Sequence, residues 1–425
     1  MKILLLLITL LLSPIPTATA GDTLSPRKVL TLKEAYQKAL AKNEAVAESE
    51  QAILQAFALY QETIRSAMPS FSYQYNTVWQ DPVGLTAATE DPQAEGAFQF
   101  KKTGLTFYKE WVAARTGKAF IGQRQHEKQR VEQLLLSSVA GAYYGILEAD
   151  ENVATTRQLI DLAKKRLAEL DARARVGRSR ASDPLGAQFQ LKLLEIQEQE
   201  ALRLALAQRD LMAFLMGERV TLPLSASFRH TTNTRKLDDY IKQTESRADI
   251  QALRQAVEIA RGALKIARSK DFPSLDIGAN YYTNRPDARE AIDWDATLTV
   301  TVPLFAWGAN RHAISAGKAN VHKLEEAFGA GRRQAEFSVR DAYRNLMTAR
   351  RKFALAEEGL SFAKQDYLLQ SQDEEKGRVT SLEVLEALNR LNQAERTRAD
   401  IRLQMRLFAL NLELTAGTSS EEVLQ

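Results

Sequence analysis

VAGAYYGILEADENVATTRQLIDLAKKRL, residues 139–167, returns 200 positions later as VRDAYRNLMTARRKFALAEEGLSFAKQDY, residues 339–367. Val139, Ala142, Ile146, Ala149, Val153, Thr156, Ile160, Ala163 and Leu167 fall on Val339, Ala342, Leu346, Ala349, Phe353, Ala356, Leu360, Ala363 and Tyr367. The steps alternate three and four without a slip, the period of helices wound in a left-handed supercoil. The same offset carries Gly177 onto Gly377, Asp183 onto Glu383, Leu185 onto Leu385, Ala187 onto Ala387 and Gly217 onto Gly417. An ungapped match of this length is a duplication, and duplicated long helices make an architecture rather than a catalytic site.

Outward from that seam, each half reads helix, strand, loop, strand, long helix, turn, helix. The expected division is a first repeat over 21–217, a linker over 218–235, a second repeat over 236–417 and a frayed tail over 418–425. In the first repeat, Thr31-Leu32-Lys33-Glu34 is a capping box opening one helix to Ser66. Met68-Pro69-Ser70 ends that helix, because proline disfavours a helical residue before it. A helix from about Ala113 to Arg175 turns at Gly177, and Asp183-Pro184 supplies a cap with proline at the first helical position. The second repeat places its first helix over Lys236–Lys270, stops it at Phe272-Pro273-Ser274, starts its long helix near Asn310, turns at Gly377 and caps the last helix with Thr380-Ser381-Leu382-Glu383.

Four short strands are the discriminating element, expected over about 71–80, 98–108, 274–282 and 294–302. Phe71, Tyr73, Tyr75, Thr77 and Trp79 alternate with Ser72, Gln74, Asn76 and Gln80, and Trp294, Ala296, Leu298, Val300 and Val302 alternate with Asp295 and three threonines. Parity breaks between Phe100 and Leu105, which predicts a bulge around Lys101–Gly104. Aromatic residues gather near the strand ends: Trp79, Trp111, Tyr281, Tyr282, Trp294, Phe305 and Trp307. Alternation flanked by aromatic girdles is the pattern of a transmembrane barrel; a half-buried sheet packed on helices shows the same alternation. Lys101-Lys102 puts one lysine on each face, so the pair is expected at the outer rim beside the loop, where a charge costs least.

Composition narrows the function. The chain has 425 residues, no cysteine and four histidines, which leaves no thiolate metal site, disulfide or cysteine nucleophile. Lys2, the apolar run Ile3–Leu12 and Ala18-Thr19-Ala20 read as a signal peptide over 1–20. No later stretch is long and apolar enough for a transmembrane helix. The net charge of +4 is spread over mixed-sign helices and reads as solvated faces, not as a nucleic-acid site. No nucleophile–base set, phosphate loop or metal cluster stands out, so neither an enzyme nor a cofactor is expected. Four strands cannot close a barrel, and an open edge in hydrocarbon strands backbone groups at several kcal/mol each, roughly. The chain must then assemble with copies of itself around an axis.

The duplication, Pro273-Ser274 before a strand, the stretch Val302-Pro303-Leu304-Phe305-Ala306-Trp307-Gly308 after one, and the run Gly377–Ala387 (GRVTSLEVLEA) together make the chain resemble the TolC-like outer membrane efflux proteins. The resemblance covers nearly all of the mature chain. It implies a mainly α-helical protein with a transmembrane β-barrel: a homotrimer, four strands per chain, continued by a long periplasmic α-barrel. Its setting would be the outer membrane with a large periplasmic part, in contact with outer-membrane lipid. Its work would be as the passive exit duct of a tripartite efflux pump, docked to a periplasmic adaptor and an inner-membrane transporter, or as a type I secretion duct of the same fold.

By the same resemblance, Gly177, Arg178, Ser179, Gly377, Arg378, Val379 and Thr380 are the adaptor-contact tips. Glu383 and Glu386, with Asp183 in the first repeat, are the pore constriction. Three copies of an acid pair one helical turn apart would form carboxylate rings that favour cations. Glu383 also completes a capping box with Thr380, which explains its type without a gate. Gly186 stands where the first repeat would need a second acid, so that copy cannot make the same double ring. The nearest rival outside channels is a soluble periplasmic coiled-coil adaptor or scaffold.

Overall fold

The structure, a computed structural model, describes residues 29–78, 93–177, 180–225, 234–285 and 292–424. The expected signal peptide, Trp79, Arg178 and Ser179 lie outside the described residues. In chain order the elements are α1 (Leu32–Lys42), α2 (Glu44–Arg65), β1 (Ser70–Val78), β2 (Gln93–Leu105), α3 (Tyr108–Arg175), α4 (Ser182–Met216), α5 (Leu237–Gln243), α6 (Ala248–Arg268), β3 (Ser274–Asn284), β4 (Trp294–Thr301), α7 (Ala309–Glu375), α8 (Ser381–Ala416) and α9 (Ser420–Val423). At 68 and 67 residues, α3 and α7 are each about 100 Å long at 1.5 Å per residue.

The four strands form one antiparallel sheet in the order β1-β2-β3-β4. Helices α2, α3, α6 and α7 run side by side away from it. Beyond the middle of the rod, α4 and α8 take over beside α3 and α7. Helix α3 is the inner member of both tiers and packs on α2, α4, α6 and α8, whereas α7 packs on α6 and α8. The consequence shows in the seam. Val139, Ala142, Ile146, Ala149, Val153, Thr156, Ile160 and Ala163 are all buried, but of their α7 counterparts Val339, Leu346 and Ala349 alone are.

Duplication extends to the core at mid-rod. Val139, Ile146, Met212 and Met216 cluster with Tyr36 of α1, and Val339, Leu346, Leu412 and Ala416 cluster with Tyr240 of α5. The Tyr143 hydroxyl donates to the carbonyls of Leu30 (2.8 Å) and Ser225 (2.7 Å), tying the strand-like bridge Leu30–Leu224 to α3.

Several expectations need correction. The first helix breaks at Asn43, whose side chain accepts from the amides of Ala45 and Val46 and so caps α2. The opening helix of the second repeat is likewise divided, by a 3-10 turn at Thr244–Ser246. Strand β2 starts at Gln93, ahead of the expected start at Phe98. Helix α4 starts at Ser182 with Ala181 as its N-cap, so Asp183 lies in the first turn and not at the cap. The tail is not frayed: Ser419 caps α9, and Val423 and Leu424 are buried against the mid-rod core.

Candidate pore, tips and membrane rim

Strand register sorts the sheet into two faces. Phe71 pairs with Phe100 and Tyr73 with Phe98; Phe98 in turn pairs with Tyr281, and Tyr281 with Trp294. Directly paired residues share a face, so these rings stand together with Ile277, Leu298, Leu275 and Val300. Phe71 and Phe98 stack with centroids 5.8 Å apart, and Phe98 touches Tyr73 at 4.9 Å. Among the described residues nothing covers this face: Phe71 stays 72% exposed and Leu298 69%.

The opposite face holds Ser72, Gln74, Asn76, Glu95, Gln99, Asn280, Tyr282, Asp295, Thr297 and Thr299. Asp295 accepts from Asn280 (2.8 Å) and from the Tyr282 hydroxyl (2.6 Å). Arg285 lies over the Tyr282 ring at 3.8 Å, with Glu95 and Asp295 within 3.9 Å. Strands β1 and β4 are the outer members of the sheet, each leaving one row of backbone groups without a strand partner among the described residues.

The expected bulge is present: the β2–β3 register shifts between Lys102 and Leu105, with Gly104 at φ +65°. The lysine pair, however, sits at the other end of the strand from the expected one. Lys101 pairs with Ser70, the first residue of β1, so both lysines lie beside the helices rather than the loop. Lys102 falls on the apolar face and escapes it by donating its Nζ to the carbonyl of Ser66, at the end of α2 (2.7 Å). A helix C-terminus offers unpaired carbonyls and a partial negative charge, which suits a lysine that cannot point into an apolar layer.

Both strand-to-helix junctions store strain. Phe107 has φ 53° and closes a three-residue turn in which the Tyr108 amide donates to the Thr106 carbonyl (2.5 Å). Thr106 then fixes the start of α3, its hydroxyl accepting from the Lys109 amide (3.2 Å) and its own amide donating to Glu110 (3.3 Å). The first repeat has no counterpart to Pro303, which follows β4 in the second. There, Trp307 (φ 49°) and Gly308 (φ 82°) bring the Ala309 amide to the Ala306 carbonyl at 2.9 Å. Phe107 is 70% and Trp307 90% exposed, and Trp111 and Phe305 are exposed beside them.

At the far end, Gly177 and Gly377 have φ +73° and +70°, the left-handed conformation that stops a helix without a Cβ clash. Thr380 and Glu383 form the full capping box. The Glu383 carboxylate accepts from the Thr380 amide (2.6 Å) and hydroxyl (2.8 Å), which holds it below the usual carboxylate range. Glu386 lies one turn further on. Asp183 accepts from the Arg180 amide at 3.1 Å. Above the tips, Gln190 of α4 donates to Asn389 of α8 at 2.8 Å, joining the two repeats.

Two charged clusters lie between tip and mid-rod. Glu374 of α7 is buried against Arg166 of α3, with Arg173 nearby at 3.6 Å. Higher up, Glu148 of α3 faces Asp400 of α8. Burial first, then the Asp400 charge and its hydrogen bond, push Glu148 up to about 7, and burial raises Asp400 as well.

Residues 242–418 match the outer membrane efflux protein family. Protein CyaE of Bordetella pertussis is 26% identical over 252 residues, 56% of this chain and 52% of that protein. Outer membrane protein TolC of Vibrio cholerae is 26% identical over 372 residues, 80% of this chain and 82% of its own length. Crystal structures of CusC superpose with a TM-score of 0.79 over 91% of this chain and 92% of that one, at 16% identity. The chain is similar to the outer membrane efflux proteins over residues 242–418 and to TolC over most of its length.

The chain spans about half of CyaE and most of TolC, and its likeness to CusC is one of fold. Within it, Gly377, Arg378, Val379, Thr380, Glu383 and Glu386 gather at one helical turn, while Gly177 and Asp183 mark the matching turn of the first repeat. The aromatics split into two groups. Tyr281, Tyr282 and Trp294 stand at the loop end of the sheet; Trp111, Phe305 and Trp307 stand at the helix end. Sequence reasoning missed Glu374, Arg166, Glu148, Asp400 and Arg285. Of these, Glu374 alone left a trace, as an acid shortly before the Gly377 turn.

Proposed function

We propose that this TolC-like chain is the passive outer-membrane exit duct of a tripartite efflux pump. The observation that carries the reading is the sheet: one uncovered apolar face, one polar face, and two outer strands without partners, rooted on helices about 100 Å long. Three copies, pairing β1 with a neighbour's β4, give twelve strands and leave no edge in hydrocarbon. The apolar face then meets lipid and the face with Asp295, Asn280 and Thr297 lines water. Helices α3, α4, α7 and α8 continue the wall as a periplasmic tunnel.

Site roles follow from that arrangement. Tyr281 and Trp294 belong to the outer girdle, and Trp111, Phe305 and Trp307 to the inner one; Tyr282, expected in the girdle, stands instead on the polar face, where its hydroxyl donates to Asp295. Glu383, Glu386 and Asp183 narrow the tip. The turns at Gly177, Arg178 and Ser179 and at Gly377, Arg378, Val379 and Thr380 meet a periplasmic adaptor, which couples the duct to an inner-membrane transporter. No bond chemistry is assigned to the chain. The match to CyaE supports a second reading with the same geometry, a duct for type I secretion.

Cell fractionation and planar-bilayer recording test the proposal together. The protein is expected in the detergent-extracted outer-membrane fraction, with a water-filled conductance on reconstitution. Recovery as a soluble periplasmic protein would instead support the adaptor or scaffold reading.

A further inference from the structure

The charge of this chain is not evenly spread. Four segments meet at the helix end of the sheet: residues 60–70, 101–120, 263–273 and 302–320. They hold eleven Lys/Arg (Arg65, Lys101, Lys102, Lys109, Arg115, Lys118, Lys265, Arg268, Lys270, Arg311, Lys318) against three acids (Glu62, Glu110, Asp271). That excess of eight is twice the +4 of the whole chain, so everything outside this band is net acidic.

Helix dipoles explain part of the band and contradict the rest. Arg65, Lys265 and Arg268 stand in the last turns of α2 and α6, where cations complement the C-terminal carbonyls. Lys109, Arg115, Lys118, Arg311 and Lys318 stand toward the starts of α3 and α7, where the dipole gives them no support. Lys118 and Lys318 are 200 residues apart, the same site in both repeats. Nor do ion pairs explain them. Among the described residues none of the eleven pairs with a carboxylate, and all but Lys102 are exposed. Two of the three acids are occupied locally, Glu110 by Thr106 and Asp271 by Asn310 (2.6 Å). One or two turns further along, charges are paired in the ordinary way, as in Arg124–Glu127, Lys128–Glu50 and Arg261–Glu325.

The same level carries the exposed rings. Arg115 lies 6.0 Å from the Trp111 ring, and Arg311 and Lys318 line a groove with Leu304 and Phe305. Cations interleaved with outward aromatic rings, directly below an apolar sheet face, match a bilayer interface, where rings sit at headgroup depth and phosphates just outside. A free anion would need no rings.

We propose that this junction is a basic collar that docks on the anionic phosphate groups of the membrane's periplasmic leaflet and sets the depth of the barrel. The inference rests on the membrane reading above. It adds a preference for anionic phospholipid. In a trimer, twenty-four excess positive charges, eight from each copy, would ring the barrel at one depth.

Fluorescence quenching by brominated lipids tests it on the full trimer. With Trp79→Phe and Trp294→Phe, the remaining tryptophans Trp111 and Trp307 both stand at the collar. In vesicles of phosphatidylcholine and phosphatidylglycerol, one lipid at a time is brominated. The expected result is a preference for the anionic lipid of roughly fivefold or more at low salt, shrinking as salt screens the surface. The combined variant K109Q/K118Q/R311Q/K318Q should lose most of that preference while remaining trimeric and quenched. Should that variant fail to assemble, the salt series on the parent decides the question by itself. Equal quenching by both lipids at low salt would overturn the proposal while leaving insertion intact. Loss of the preference on adding inorganic phosphate at constant ionic strength would overturn it in favour of a free-anion site. Absence of quenching by either lipid would overturn the membrane reading and the collar with it.

Discussion

Phe107 and Trp307 stand 200 residues apart and share a positive φ, 53° and 49°, that no other described non-glycine residue adopts. Each is an exposed ring at the point where a strand hands over to a helix of 67 or 68 residues. Left-handed backbone at a bulky residue costs on the order of 1–3 kcal/mol and persists where the surroundings impose it. The duplication has kept that strain in both copies, together with the ring.

The strain gives an inverted substitution series. At most positions alanine is preferred to glycine; at 107 and 307 the order should reverse. Phe107→Gly should be more stable than Phe107→Ala by about 1 kcal/mol, because glycine relieves the turn and both lose the ring. Thermal unfolding of the detergent-solubilised variants reads the difference, and an alanine variant as stable as the glycine one would mean the turn is unstrained.

Glu148 and Asp400 make stability depend on pH. A carboxyl raised to about 7 in the fold keeps its proton there while the unfolded chain has lost it. Between about 4.5 and 7 the unfolded state therefore binds fewer protons, and stability falls as pH rises through that window. Half-exposure screens the effect, leaving on the order of 1–2 kcal/mol. Glu148→Gln should flatten the slope and stabilise the protein at pH 8. Denaturation midpoints at pH 5 and pH 8 measure it; an unchanged slope in the variant would remove Glu148 as its source.

Glu374 and Arg166 hold α7 to α3 close to the tip, in a dry setting where the side chains are 5% and 11% exposed. Removing Glu374 takes away the buried partner of Arg166 and leaves it the half-exposed Glu169 at 2.9 Å, at a cost of about 1–3 kcal/mol. Glu374→Ala should destabilise the protein by that amount and speed amide exchange in the last turns of α3 and α7 ahead of the mid-rod core. Exchange that rises evenly along the rod would show that the pair is not a local fastening.

Much of this architecture is legible in the letters. The heptad steps from Val139 place the seam, the alternation at Phe71 and Trp294 places two sheet faces, and the parity break at Phe100 places the bulge. What is not legible comes from neighbours. The same seam pattern is buried in α3 and half-open in α7 because α3 lies inside the layer and α7 at its margin, which no periodicity encodes. The break at Asn43 lacks the glycine or proline that marks most helix ends, although Asn43-Glu44 is a usable cap signal. Ser419-Ser420-Glu421-Glu422 carries a capping pattern, but so short a terminal helix holds only because Val423 and Leu424 find the mid-rod core. Lys101-Lys102 lies at the helix end because β2 begins at Gln93, before its aromatic alternation does. The basic collar is hidden in the linear chain because its residues come from four separate stretches, each unremarkable alone.

Glu386 has no part in the Thr380–Glu383 cap beside the tip. Glu386→Gln should therefore leave folding unchanged and weaken cation preference or cation block in planar bilayers. Glu383→Gln should act first on the helix start, because its carboxylate is engaged by Thr380. Identical ion selectivity in parent and Glu386→Gln would take this residue out of the constriction.

The most direct test of a barrel shared among copies concerns the outer strands. The chain contains no cysteine, so cysteines introduced one on β1 and one on β4 report neighbour pairing without background. The native mass of the detergent-extracted protein should equal three chains, and oxidation should give a crosslinked ladder that stops at three. A monomeric mass, or cysteine pairs that never link one chain to another, would contradict a barrel closed by three copies.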